Sequence, residues 1–427
     1  MEKIKQNPTY LVVLAIIILA SLFGGFIFAD VLNPAPAGVT VIRFAGWSAG
    51  TEEAESYQSM IDVFEDANPN IIVKYEVITN SLSENILGSF GAGVAPDIFY
   101  LDSVWAPIFM EKGVLYPVDN LTSQAVIDEY YPSLLVPFTG SDGKVYGLPK
   151  DWSMLSLYYN KDMLSSGGAE CTPVPDTWDA LEACAKAIRT ATGKPGLAMG
   201  QDLNRAVPMI TSNGGPAPWF TSAADASYFD DATVVSSLTS YMELFTEGVA
   251  EIITDKWFVE AFGLEEVGMV ISGNWAIPNL PNAGDPDKFP NMVYDTDWGI
   301  APVPKGSSGR STMAYTVALG INADTDNPEE AWKFVEYLLG QDGQTELVVK
   351  KGNALPSIEG LDTHADMWPQ HKETLSHTYD TTTVFVWGPK SSIDGDIAAL
   401  MISAEKGDIT IAEALVQMKA VVVAAFA

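Results

Sequence analysis

Apolar and polar positions fall into alternating blocks along the chain, and each block predicts an element. Residues 39–45 alternate as a strand, and Ile71, Val73, Tyr75 and Val77 alternate with Lys74 and Glu76 as a second. Between them Tyr57, Met60, Ile61 and Phe64 recur at i, i+3, i+4 and i+7, which predicts a helix over 52–67. Glu52, Glu53 and Glu55 occupy its first turns, where the helix dipole favours anions, and Asn68-Pro69 stops it. A short helix follows through Leu82, Ile86 and Phe90, and glycine and proline at 91–96 break it before a third strand at 97–101. Strands and helices in this order predict a parallel sheet with right-handed crossovers. Ligands of such sheets bind beyond the carboxyl ends of the strands. That places Trp47-Ser48 and the stretch Asp102 to Trp105 at one rim.

The α/β pattern continues without sequence repeats. Strands are expected at 155–159, 197–199 and 267–271, and helices at 177–191 and 234–247. Asn327-Pro328 opens a helix carrying Ala331, Phe334, Val335, Leu338 and Leu339, and helices near 392–405 and 411–423 close the chain. With 427 residues the chain exceeds what one hydrophobic core of ~250–300 residues organises, so two or more lobes are expected.

Charge changes the picture by exclusion. The 55 Asp+Glu outnumber 23 Lys+Arg, for a net charge of −32. Such a chain is repelled by phosphate backbones, so no nucleic-acid partner is expected. The N-terminus assigns the compartment. Residues 11–29 carry no charge and follow Lys3 and Lys5, which reads as an export signal. The run also has about the length that spans a bilayer, roughly 20 residues. Residues 1–29 are therefore a signal peptide or a membrane anchor, with 30–38 as a spacer, and the location is extracytoplasmic on either reading. Cys171 and Cys184 are the only cysteines. In an oxidising compartment they are expected to pair, stabilising by about 3 kcal/mol; two unpaired thiols are the alternative.

Motifs for chemistry are weaker. Gly46-Trp47-Ser48-Ala49-Gly50 matches the G-x-S-x-G elbow of a serine hydrolase, with Ser48 as nucleophile and His364, His371 or His377 downstream. Against this, the elbow follows the first strand, and no His-Gly-Gly-Gly-like oxyanion element is present. The three histidines lack metal-ligand spacing, and 306–312 lacks the spacing of a phosphate loop, so no metal and no cofactor are expected. What stands out is tryptophan at strand ends and in Gly/Pro-flanked loops: Trp47, Trp105, Trp152, Trp275 and Trp387. Flat indole faces suit the C–H face of a sugar, while Asp, Asn and Ser take up its hydroxyls. Ordinary packing is the competing reading for each, and it is the expected one for Trp178, Trp257, Trp298, Trp332 and Trp368.

Several segments together resemble the extracellular solute-binding proteins of ABC transporters, the family that contains maltose-binding protein. These are APDIFYLDSVWAPIFMEKGVLYPVD (95–119), YGLPKDWSMLSLYYNKDM (146–163), VGMVISGNWAIPNL (267–280), NPEEAWKFVEYLLGQDGQ (327–344) and GNALPS (352–357). The resemblance covers nearly all of 39–427. It implies a two-lobed periplasmic-binding-protein fold of type II, each lobe a mainly parallel sheet flanked by helices, joined by three hinge crossings. Lobe one would be 38–150 plus 315–356, and lobe two 151–314 plus 357–427. The implied function is non-enzymatic: a monomer captures a di- or oligosaccharide between the lobes and delivers it to the permease subunits in the membrane. A polyol, glycerol phosphate or a peptide in the same fold is the alternative ligand.

Carried over by motif position, the resemblance implies binding roles for Trp47 and Ser48, Asp102 and Trp105, Asp151 and Trp152, Asp202 and Asn204, and Trp275 and Trp387. Ser153 stands where the maltose protein has a pocket carboxylate, and Leu101 where it has a pocket aromatic, which argues against maltose itself.

Overall fold

The computed structural model describes residues 38–47, 51–79, 81–280, 292–384, 388 and 392–427. The strands are β1 (Thr40–Gly46), β2 (Ile71–Val77), β3 (Ile98–Asp102), β4 (Gly147–Met154), β5 (Ser156–Asn160), β6 (Leu197–Ala198), β7 (Ala250–Glu251), β8 (Met269–Ser272), β9 (Trp298–Pro302), β10 (Ser311–Ile321) and β11 (Thr381–Val384). They form two sheets, one ordered β11-β10-β3-β1-β2 with β4 pairing β10, the other β7-β6-β8-β5-β9.

In the first sheet β1 runs parallel to β2 and β3, as the strand–helix alternation predicts. The helix between β1 and β2 spans Thr51–Ala67 and buries Tyr57, Ile61 and Phe64 against Phe44 and the sheet. β10 enters this sheet antiparallel to both β3 and β4. The second sheet is evenly mixed: β6 is parallel to β7 and β8, whereas β5 is antiparallel to β8 and β9. The expectation of mainly parallel sheets is corrected for this one. A strand that returns from the other sheet arrives from the opposite direction, so it pairs antiparallel where a helical crossover would pair parallel.

Each sheet carries its own apolar core. One gathers Phe44, Ile98, Leu148 and Val317 with Phe334 and Leu338 of the helix Pro328–Leu339. The other gathers Leu155, Leu157, Ile188, Val207, Leu238 and Met313 with Ile397 and Met418 of the last two helices, Ser392–Glu405 and Ile411–Ala425. A smaller cluster behind the second sheet centres on Tyr158, Phe262 and Trp298. The Cys171–Cys184 pair is bonded and ties a short turn to the helix Trp178–Thr192. Among the described residues no helix is long and apolar enough to cross a membrane. The apolar run 11–29, read as signal or anchor, lies outside them.

Candidate functional site

The carboxyl ends of β1 and β3 open onto a cavity of about 320 Å³, walled on its other side by β4, β10 and Trp275. β1 ends at Gly46, where a Cβ would lie 2.9 Å from the Tyr100 ring, so glycine lets that buried ring pack beneath the strand. Trp47 follows, edge-on to Tyr100 at 5.2 Å. At the end of β3, Asp102 Oδ1 accepts the Val104 N–H at 2.9 Å. Burial pushes its carboxyl up to about 6, although that N–H pulls the other way.

β4 brings two successive charged residues to the same cavity, Lys150 and Asp151. Successive strand residues ordinarily face opposite ways. Here Pro149 opposes Ala318 and Asp151 opposes Val317, so Lys150 is the extra residue of a β-bulge. Its ammonium pairs with Asp151 and lies 5.0 Å from the Tyr100 ring centroid. Burial draws the Lys150 pKa down, but Asp151, Tyr57 and Glu53 together hold it above its ordinary value, so the site keeps a cation. Glu53, in the first turns of the helix after β1, is itself buried at the cavity.

β8 leads into Gly273-Asn274-Trp275. A Cβ at Gly273 would lie 2.2 Å from the Trp275 ring, so only glycine lets the indole fold back across the backbone. Asn274 is fully buried: its N–H donates to Ser153 Oγ at 2.5 Å, and its Oδ1 accepts the Met154 N–H at 3.1 Å. Its Nδ2 meets His371 Nδ1 at 3.1 Å, while His371 Nε2 meets the Gly352 carbonyl at 2.8 Å. Tyr315 of β10 stands at 87° to Trp275, with centroids 5.0 Å apart.

Of the residues carried over by motif, the cavity gathers Trp47, Asp102, Asp151 and Trp275. Trp105 starts a short helix and is half-buried between the two main cores. Trp152 faces away: its Nε1 donates to the Pro356 carbonyl at 2.9 Å, and its ring lines a separate recess with Tyr131 and Leu134. Asp202 caps the helix Leu203–Ser212 and pairs with Arg205, and Asn204 accepts the Tyr315 hydroxyl, one layer behind the cavity wall. Ser48 and Trp387 lie outside the described residues. Glu53, Lys150 and Tyr315 join the cavity without having been assigned to it by motif. Lys150 reads in the sequence, with Arg205, as a cation near the cleft, although alternation alone turns it away from Asp151, and Tyr315 lies mid-strand without a flanking turn.

Of the histidines a Ser48 hydrolase would draw on, His371 and His364 are hydrogen-bonded within the fold and the ring nitrogens of His377 are buried. Both ring nitrogens of His371 are bonded, and burial lowers its pKa to about 4. His377 is likewise lowered to about 4 by burial, with Arg310 adding to the shift. His364 Nδ1 accepts the Asp366 N–H. A larger recess of about 520 Å³ lies between Thr177–Glu182 and Glu243–Val249, rimmed by carboxylates and remote from the strand ends.

The family model described as bacterial extracellular solute-binding protein matches residues 48–345. A Brucella abortus chain named as a binding protein is 26% identical over 354 residues, covering 78% of this chain and 80% of its own length. The GacH receptor of Streptomyces glaucescens, solved unliganded and with acarbose, superposes with a TM-score of 0.77 at 22% identity, over 91% of this chain and 99% of its own. Maltose-bound MalE3 of T. maritima superposes with a TM-score of 0.77 at 20% identity, over 90% and 99%. The two-lobed binding-protein fold is thereby shown.

Proposed function

The chain belongs to the bacterial extracellular solute-binding proteins, and we propose that its solute is a carbohydrate, captured between the lobes and delivered to the membrane permease of an ABC importer. The protein acts outside the cytoplasm as a monomer, with lobe one formed by 38–150 plus 315–356 and lobe two by 151–314 plus 357–427. The exceptions are Ile358, Leu361 and Met367, which pack in the first core, and β11, which pairs with the start of β10. The observation that carries the reading is the cavity at the strand ends. It sets two indoles, Trp47 and Trp275, beside the carboxylates Glu53, Asp102 and Asp151 and the Lys150 ammonium. Aromatic faces stack on sugar C–H faces, and charged acceptors and donors satisfy hydroxyls more strongly than neutral ones. Acarbose in the GacH receptor and maltose in MalE3 support the same ligand class.

Solute contacts to both lobes favour the closed state by their differential affinity. Micromolar capture needs about −8 kcal/mol. The test is calorimetric titration with mono-, di- and oligosaccharides, polyols, glycerol phosphate and short peptides. A sugar is expected to bind, and Trp275→Ala is expected to weaken it at least about tenfold, or 1.4 kcal/mol. Heat from another class alone, with none from any sugar, overturns the reading.

A further inference from the structure

Charge on the cavity wall does not balance. Glu53, Asp102 and Asp151 line it with a single cation among the described residues, Lys150. Lys150 is already engaged: it pairs with Asp151, and Asp151 and Glu53 help hold it charged against the pull of burial. Arg205 is off the wall, and its guanidinium is held by Asp202. Asp102 is left with one hydrogen bond, from the Val104 N–H to Oδ1, and Oδ2 has no partner among the described residues. The charge facing it from the helix Ser392–Glu405 is a like one: burial raises the Asp394 pKa, and Asp202 and Asp102 raise it further while Arg205 opposes. A carboxylate enclosed without a counter-charge is unfavourable, and burial holds the Asp102 pKa above its ordinary value.

We propose that the solute is an amino sugar or an oligomer of one, and that its ammonium donates to Asp102 Oδ2. This rests on the carbohydrate reading and narrows it. A neutral sugar offers Asp102 a hydroxyl in place of water, and leaves three carboxylates facing one ammonium when the lobes close. A protonated amine offers the same hydrogen bond with an opposite charge behind it, and a buried charge is tolerated when it is paired. The indoles of Trp47 and Trp275 accept either ligand, since a cation near their faces is attracted by the ring quadrupole. At longer range the net charge of −32 draws cations and repels anions, so the same field disfavours an anionic solute.

The test is calorimetric titration of the full chain at about pH 7, where Asp102 is ionised, with matched sugars. The free-amine set is glucosamine, galactosamine and the β-1,4 disaccharide of glucosamine. The neutral sets are glucose, galactose and cellobiose, and the N-acetylated forms of the free-amine set. A free-amine sugar is expected to bind at least about tenfold tighter than its neutral counterparts. Asp102→Asn, which keeps the acceptor for Val104, brings them to within about threefold of one another. Its thermal melt, expected no lower than native at that pH, shows that the variant is folded. A neutral sugar that binds as tightly as every free-amine sugar overturns the proposal and leaves the carbohydrate reading standing. So does a free-amine preference that Asp102→Asn does not reduce. Failure of every sugar, with another solute class binding, overturns the carbohydrate reading and this proposal with it.

Discussion

Replacing Lys150 with methionine tests the charge balance of the cavity. Methionine keeps much of the aliphatic stem and removes the ammonium. Lys150 and Asp151 are paired with side-chain exposures of 8% and 13%, so solvent screens the pair little. Breaking a buried pair by removing one partner costs about 3–5 kcal/mol, because the other charge stays buried without compensation. Loss of the cation over Tyr100 adds in the same direction. The variant is expected to lose about 4 kcal/mol, close to a thousandfold in the folding equilibrium. Urea unfolding followed by tryptophan fluorescence reads this directly. The pH dependence is fixed as well. The folded-state pKa of Lys150 lies above its ordinary 10.5, so its contribution is full below that pH and fades above it. The gap between native and variant is therefore constant from about pH 6 to 9 and narrows above about 10.5. Adding Asp151→Asn to Lys150→Met removes the stranded carboxylate and recovers at least about half the loss. A single variant within about 0.5 kcal/mol of native at pH 7, or a gap that widens above pH 10.5, refutes the reasoning.

Asp102 ionises at a cost, its pKa being raised from 3.8 to about 6, so its burden on stability grows as pH rises between these values and is constant above. Asp102→Asn keeps the acceptor for Val104 and is expected to stabilise by about 3 kcal/mol at pH 7.5 and not at pH 3; equal effects at both, by thermal melting, contradict this. Gly273→Ala puts a Cβ 2.2 Å from the Trp275 ring and displaces the indole. Sugar affinity falls about tenfold in titration while the melting temperature changes little, since the backbone there, φ −90°, suits alanine. Removing the Cys171–Cys184 bond by double alanine substitution opens a loop with a separation of 13 residues and costs about 3 kcal/mol in urea unfolding. Unchanged stability would mean the bond constrains nothing.

Period-two and period-3.6 patterns made the elements of the first sheet readable, because β1, β2 and the helix Thr51–Ala67 each bury one face. Trp47, Asp102 and Trp275 were readable as cavity-lining residues for a related reason: Trp47 follows β1, Asp102 ends β3 and Trp275 lies three residues past β8, at strand ends whose direction the topology dictates. Trp152 was not, although it sits beside Asp151. Alternation along β4 turns its indole to the opposite side, against Pro356. Lys150, read together with Arg205 as a cation near the cleft, faces the cavity for the opposite reason. A bulge is a property of two strands in register, β4 against β10, and residues 147–154 alone contain no trace of it. Tyr315 likewise gains its position from a pairing partner 162 residues earlier in the chain, Ser153.

These misreadings share a cause that bears on function. Along β4, Leu148 belongs to the first core and Leu155, just past the strand, to the second; along β10, Met313 belongs to the second and Val317 to the first. Between those anchors the chain crosses from one core to the other, and Lys150–Ser153 and Tyr315-Thr316 belong to neither core's buried set. Core packing dictates apolar residues at fixed period, so residues exempt from it carry no such pattern and are free to be charged or aromatic. A change of dihedrals in this stretch moves one core relative to the other rather than distorting either, which is what a hinge requires. Lys150, Asp151, Ser153, Tyr315 and Thr316 all line the cavity. A solute seated there touches the hinge itself, so its contacts act on the lobe equilibrium without an intervening relay.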